Sequence, residues 1–327
     1  MKGIAYAGAL AELEKRNILG DITRVAGTSA GAITAVLVAL GASAQDVQEI
    51  VGGTNFKSFM DGSWGIGGDA ERLLSNYGIY YGDAFKDWMR KQIYALSGNP
   101  DLTFGQLADL TKDDRTFREL HIVGTNLSMQ IPGEFSAEYT PTCPIWWATR
   151  ISMSIPLFFE CCRDSVSKNI WVDGGVTWNY PLDIFDDTKF KPAANASKDP
   201  ITVNPGTTKY DANHIYNQET LGFRLDSADE IKAEKKNWQS PPAPINNLVD
   251  YTKALIGFMH EMANRLHLKD SDWDRSIFID TGNIGTTQFD LSKDQMDMLI
   301  QNGRDGVKKY FAWFDDPNVN PKPINKV

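Results

Sequence analysis

The sequence predicts an α/β fold, a largely parallel sheet with helices on both faces, and three observations carry that expectation. Short apolar runs of strand length alternate with helix-period segments along the chain, a pattern that buries a parallel sheet between helical layers. Gly27-Thr28-Ser29-Ala30-Gly31 stands between one such run and one such helix. Ile170-Trp171-Val172 stops at Asp173-Gly174-Gly175, which puts a carboxylate at the carboxyl edge of a sheet, where α/β proteins gather their functional groups.

The elements follow in order. Ile4, Ala7, Leu10 and Leu13 recur at helical spacing, so Met1 to Asn17 should open the chain as an amphipathic helix. Asp21 to Ala26 fits a short buried strand, and Ala30 to Leu40 a buried helix. Gly41 breaks that helix and Ala44 to Val51 begins the next. Gly52 to Gly82 is rich in glycine and aromatic residues and has no clean period, so a cap-like stretch is expected around 52–82. A helix from Asp83 to Leu96, a strand from Glu119 to Thr125, a helix from Ile145 to Met153 and a strand from Ile170 to Val172 follow. Late in the chain, Leu248 to Leu266 and Ser292 to Phe314 should be helices, with Ile277 to Ile279 a strand between them. Ser292 is placed as an N-cap, with Gln295 at capping-box distance. The polar, turn-rich stretch around 189–243 ends in Pro241-Pro242 and reads as an excursion from a single domain spanning 1–327.

Composition narrows the partners. With 33 basic and 42 acidic residues the formal charge is −9, which argues against nucleic acid and against docking on anionic lipid through bulk charge. No apolar run reaches the ~18 residues of a spanning helix. Cys143, Cys161 and Cys162 make no disulfide framework, so a reducing, cytoplasmic setting is expected, with peripheral membrane contact open. His121, His214, His260 and His267 show no metal-ligand spacing; no metal or cofactor is expected.

Gly27 to Gly31 is a G-x-S-x-G pentapeptide in the strand-turn-helix setting its chemistry requires. A serine on so sharp a turn is pushed out of the fold, the flanking glycines remove Cβ atoms that would clash, and the helix N-terminus lends partial positive charge to a developing anion. The same residues also fit a plain turn in which Ser29 caps the helix. Asp173-Gly174-Gly175, taken alone, also fits an ordinary Asp-Gly turn.

Together the two segments resemble the patatin-like phospholipases. Lys2-Gly3-Ile4-Ala5-Tyr6-Ala7-Gly8-Ala9-Leu10 looks like the helix after that family's glycine-rich loop, and Ser152-Met153-Ser154-Ile155-Pro156 like its S-x-S-x-P segment. Asp173 to Gly175, running on into Asn179-Tyr180-Pro181-Leu182, looks like its D-G-G/A box. Thr220 to Leu225 and Thr286 to Leu291 are similar to late segments of bacterial members. The resemblance implies a lipid acyl hydrolase of phospholipase A or lysophospholipase type, acting on phospholipid or another lipid ester. It would use Ser29 as nucleophile and Asp173 as base, forming an acyl-enzyme. Gly3, Gly27, Ala30 and Gly31 would form the elbow and oxyanion site. In the family a strand and a run of glycines precede the first helix; here only Lys2 and Gly3 match the end of that run, so the first strand is expected to be missing.

Two other readings are open. An inactive or conditionally activated lipid-binding relative, held until a protein activator triggers it, fits the shortened glycine loop. An α/β-hydrolase with a Ser-Asp-His triad fits the order of Ser29, Asp173 and the later histidines. Phe59, Trp64 and Trp147 are expected at the substrate, as part of an acyl-chain cleft or membrane-touching cap.

Overall fold

The computed structural model describes residues 2–62, 73, 75–190, 215–228, 230–231, 245–246, 248–267, 270–285 and 288–317. Trp64, His214 and most of the stretch around 189–243 lie outside them, as do the side chains of His260 and His267.

A one-turn 3-10 segment, Lys2–Ile4, leads into α1 (Ala5–Lys15), whose alanines favour the helix and keep its surface narrow. Asn17 ends it in the left-handed region at φ 60°, and the Ile18 amide donates to the Leu13 carbonyl at 2.9 Å. Strand β1 (Arg24–Gly27) and α2 (Ala30–Ala39) follow, with α2 buried from Ala32 to Ala39. Helix α3 (Ala44–Gly52) opens on a capping box of Ser43 and Asp46.

A 3-10 turn at Phe56–Phe59 and the short strand β2 (Gly78–Tyr80) precede α4 (Asp83–Ser97). Next comes α5 (Phe104–Asp113), a helix the apolar pattern did not announce, although Thr103 and Gln106 form a capping box at its start. Strands β3 (Glu119–Asn126) and β4 (Ile131–Phe135) lead to α6 (Ile145–Ser152), then β5 (Leu157–Phe159), β6 (Cys162–Arg163) and β7 (Ile170–Asp173). The remaining elements are β8 (Gly222–Asp226), α7 (Leu248–His267), β9 (Ser276–Asp280) and α8 (Lys293–Phe314). The Ser292–Gln295 capping box stands where it was expected.

The α/β class is as expected, with strands flanked by helices and crossover pairs running parallel: β1 with β3, β2 with β5, and β8 with β9. Antiparallel pairs join β3 to β4, β3 to β7 and β6 to β7. Their register places the site. Ile122 of β3 pairs with both Gly27 and Phe135, and Gly124 with both Gly133 and Asp173. Strand β4 therefore holds one edge of β3, while β1 and β7 share the other edge. They approach from opposite directions and meet end to end across Val123.

The core runs from α1 through α2 and β3 to α6, and α8 closes it. Helices α1 and α8 cross closely: a Cβ on Gly8 would fall 1.8 Å from the Ile300 carbonyl oxygen, and one on Gly303 2.0 Å from that of Ala5. Behind β9, buried Arg275 pairs with Asp186 at 2.6 Å and Asp272 at 2.7 Å, which ties the C-terminal strands to the segment that follows Asp173. On its edge away from β3, β1 has no strand partner among the described residues. A cavity of about 450 Å³ lies there, lined by Leu10, Leu13, Val25, Val38, Phe185 and Phe223.

Candidate active site

Ser29 leaves the end of β1 with φ 53° and ψ −124°, a conformation that non-glycine residues rarely adopt. Its amide donates to the Ser152 hydroxyl at 2.9 Å. Its own hydroxyl donates to Asp173 Oδ2 at 2.7 Å and lies 4.0 Å from Met153 Sδ. Ser29 makes no side-chain cap on α2, so the alternative in which it serves only as an N-cap does not hold.

Of the two elbow glycines, Gly27 is the one that sterics require. A Cβ there would lie 2.4 Å from the Gly31 carbonyl oxygen, whereas one on Gly31 would meet only the Tyr6 hydroxyl, at 3.7 Å. The Gly31 amide is taken up by the Thr28 carbonyl at 2.8 Å. Ala30, the first residue of α2, faces the groove that holds Ser29. Gly3 is buried against it, and its Cβ would stand 3.3 Å from that of Ala30, so Gly3 packs behind the elbow.

Asp173 is wholly buried. Asp173 ends β7, and because β7 runs antiparallel to β3 that carboxyl end meets the carboxyl end of β1, where Ser29 follows. Gly174 passes so near Val123 that a Cβ would sit 2.4 Å from the Val123 carbonyl oxygen. The Gly175 amide donates to Asp173 Oδ1 at 2.7 Å, and the Asp173 amide to the Ser154 carbonyl at 2.9 Å. Burial pushes the Asp173 pKa up to about 7, against the opposing pull of the Gly175 and Ser29 hydrogen bonds. The aspartate therefore stays a competent proton acceptor near neutral pH.

The Ser152–Ser154 segment thus binds both partners, the first serine by its hydroxyl and the second by its carbonyl. Resemblance alone singles out this segment in the sequence and implies no role for either serine. The groove beside Ser29 has a volume of about 160 Å³ and is walled by Lys2, Tyr6, Met153, Tyr180, Glu261 and Phe289. Phe289 belongs to the Thr286 to Leu291 segment singled out by resemblance, whereas nothing local in the sequence marks Glu261; both arrive from the C-terminal third of the chain.

Two of the expected substrate contacts are elsewhere. Phe59 is 3% exposed and packs edge-on against Phe56 and Phe85, with ring centroids 5.4 Å apart in each case. Trp147 packs edge-on against Trp146 at 5.8 Å. Neither lines the groove at Ser29. Within the described part of Gly52 to Gly82, Phe56 and Phe59 are buried from a 3-10 turn, while Lys57, Ser58, Met60, Tyr77 and Tyr81 are exposed. His121 lies 2.7 Å from Glu134, and the recorded partners of the Asp173 carboxylate are Ser29 and Gly175. Among the described residues no helix is long and apolar enough to cross a membrane, and no group of acidic, histidine or cysteine side chains could hold a metal ion.

A serine hydroxyl held against a buried carboxylate, at a strand-to-helix turn of an α/β frame, is the chemical class that fold and site define. The patatin-like phospholipase family profile matches residues 1–186, more than half of the 327, and the chain belongs to that family of lipid ester hydrolases. It is 28% identical over 315 residues to the uncharacterised protein R571 of Acanthamoeba polyphaga mimivirus, covering 94% of this chain and 89% of that one. It is 26% identical over 316 residues to the uncharacterised protein YqhO of Bacillus subtilis strain 168, covering 93% and 92%. Among solved structures it is similar to VipD from Legionella pneumophila, with a TM-score of 0.57 at 18% identity, covering 95% of this chain. That likeness is one of fold, and this chain spans 65% of the VipD chain.

Proposed function

We propose that the protein cleaves carboxylic esters of lipids, as a phospholipase A or lysophospholipase, through a Ser29–Asp173 dyad and an acyl-enzyme. The 2.7 Å hydrogen bond from Ser29 Oγ to a buried carboxylate carries this reading. Ser29 Oγ attacks the ester carbonyl carbon while its proton passes to Asp173 Oδ2. The C–O bond to the alcohol then breaks, and Asp173 returns the proton to the leaving oxygen. Water attacks the acyl-enzyme, gives its proton to Asp173 and releases the fatty acid, and the proton goes back to Ser29. The main-chain N–H of Ala30, at the start of α2, is the donor nearest in sequence for the developing oxyanion.

The closeness of α1 to α8 supports reading residues 1–327 as one catalytic unit. Three free cysteines are compatible with a reducing cytoplasm. The decisive test is labelling by a fluorophosphonate together with turnover of phosphatidylcholine and lysophosphatidylcholine. Ser29→Ala should abolish both. Asp173→Asn should lower turnover by roughly 10²–10⁴ in a folded protein. Equal labelling of Ser29→Ala, or a folded His214, His260 or His267 alanine variant as inactive as Asp173→Asn, would overturn the dyad.

A further inference from the structure

Helix α7 has three distinct faces. Ile256 and Ala263 are buried against the fold, each 2% exposed. Gly257 and Glu261 turn to the groove that contains Ser29. On the remaining face Tyr251, Leu255, Phe258 and Met262 recur at i, i+4, i+7 and i+11, which stacks them in one line along the helix. Tyr251 is 52% exposed, Leu255 36% and Phe258 62%, and Ile245, just before the helix, is exposed as well. A soluble helix with one buried face ordinarily presents polar groups on the opposite side. This one presents an apolar line instead.

We infer that this line is the docking face for a lipid surface, and that it seats the mouth of the Ser29 groove on the membrane. The inference rests on the reading of that groove as a lipid ester site. Three observations choose this occupant. The line and the groove wall belong to adjacent faces of one helix, so whatever covers the line is delivered to the mouth of the groove. A lipid ester resides in an assembled phase, and that phase must touch the protein beside the groove. The charges fit a zwitterionic surface: net charge is −9, and the helix balances Asp250 and Glu261 against Lys253 and Arg265, so binding comes from insertion of apolar side chains and not from attraction to anionic headgroups.

The test uses the full chain and vesicles of pure phosphatidylcholine. A Leu255→Asn/Phe258→Asn double variant changes two side chains that do not line the groove, and its melting temperature verifies the fold. It should sediment with vesicles roughly tenfold or more weakly than wild type, with little dependence on salt. It should also lose hydrolysis of vesicle lipid while retaining wild-type hydrolysis of a soluble, monomeric short-chain ester. Ser29→Ala should bind vesicles like wild type. Vesicle binding is read without turnover, so an absence of ester hydrolysis would count against the proposed function and leave the docking result standing. Wild-type binding by the double variant would overturn the docking face, as would a failure of wild type to bind. So would a wild-type dimer that the double variant dissociates with vesicle binding unchanged, which would assign the line to a second copy of the chain.

Discussion

Ser152 holds Ser29 by its main chain: the Ser152 hydroxyl accepts the Ser29 amide at 2.9 Å, which leaves the Ser29 hydroxyl free to turn to Asp173. The strained backbone of Ser29 is kept in place from outside the elbow. Ser152→Ala removes the hydroxyl that accepts that amide in a closely packed setting, a loss of about 1–3 kcal/mol. We expect a lower melting temperature and a kcat reduced by up to about a hundredfold, since a small misplacement of the nucleophile is costly. Residual labelling by a fluorophosphonate should remain, in contrast to Ser29→Ala. A Ser152→Ala protein with wild-type kcat would show that Ser29 keeps its geometry unaided.

In the proposed dyad the pKa of Asp173 sets the pH profile. Only the ionised carboxylate takes the Ser29 proton, so kcat/KM should fall about tenfold per pH unit below about 7 and level off above it. Stability runs the other way. The folded pKa lies above the ordinary 3.8, so the folded chain binds this proton more tightly than the unfolded one. The contribution is complete below 3.8 and is lost as pH rises to about 7. Asp173→Asn keeps the shape without the charge and should melt higher than wild type at about pH 8, by roughly 2–4 °C per kcal/mol. The two proteins should converge near about pH 4. A scanning calorimeter at both pH values decides it.

The elbow glycines should behave unequally. Gly27→Ala drives a methyl into the Gly31 carbonyl, so the turn must open and activity should be lost along with some stability. Gly31→Ala meets only the Tyr6 hydroxyl at ordinary contact distance and should fold normally. Circular dichroism melts and fluorophosphonate labelling of both variants measure the difference; equal loss in the two would mean that sterics at Gly27 do not govern the turn.

Phe59 should prove to be scaffold. Its ring fills the space between Phe56, Phe85 and Trp88, and Phe59→Ala leaves a cavity costing about 3–5 kcal/mol. The expected result is a large drop in denaturant midpoint with an unchanged order of preference along an acyl-chain series. A shift in that order in a stable protein would return Phe59 to the substrate.

Sequence and tertiary structure divided the work along the range of the forces involved. Helix and strand segments, the capping box at Ser292, the serine turn and the Asp-Gly-Gly strand end were legible because each depends on neighbours within a few residues. For helix α5 the only local signal is the Thr103–Gln106 capping pair, because its apolar spacing is weak. The pairing of Ser29 with Asp173 spans 144 positions and depends on β7 running antiparallel on the same edge of β3 as β1. No local pattern encodes that, because strand direction is chosen by how whole layers close over a core. The same holds for Phe59, whose aromatic, aperiodic setting looks alike in a cap and in a core. It holds also for α7, whose apolar line is visible as a period in the sequence but becomes a surface only when Ile256 and Ala263 claim the opposite face. Residue chemistry and short-range spacing marked the Ser29 turn and the Asp173 strand end, the family resemblance implied that they act together, and long-range packing decided that they touch.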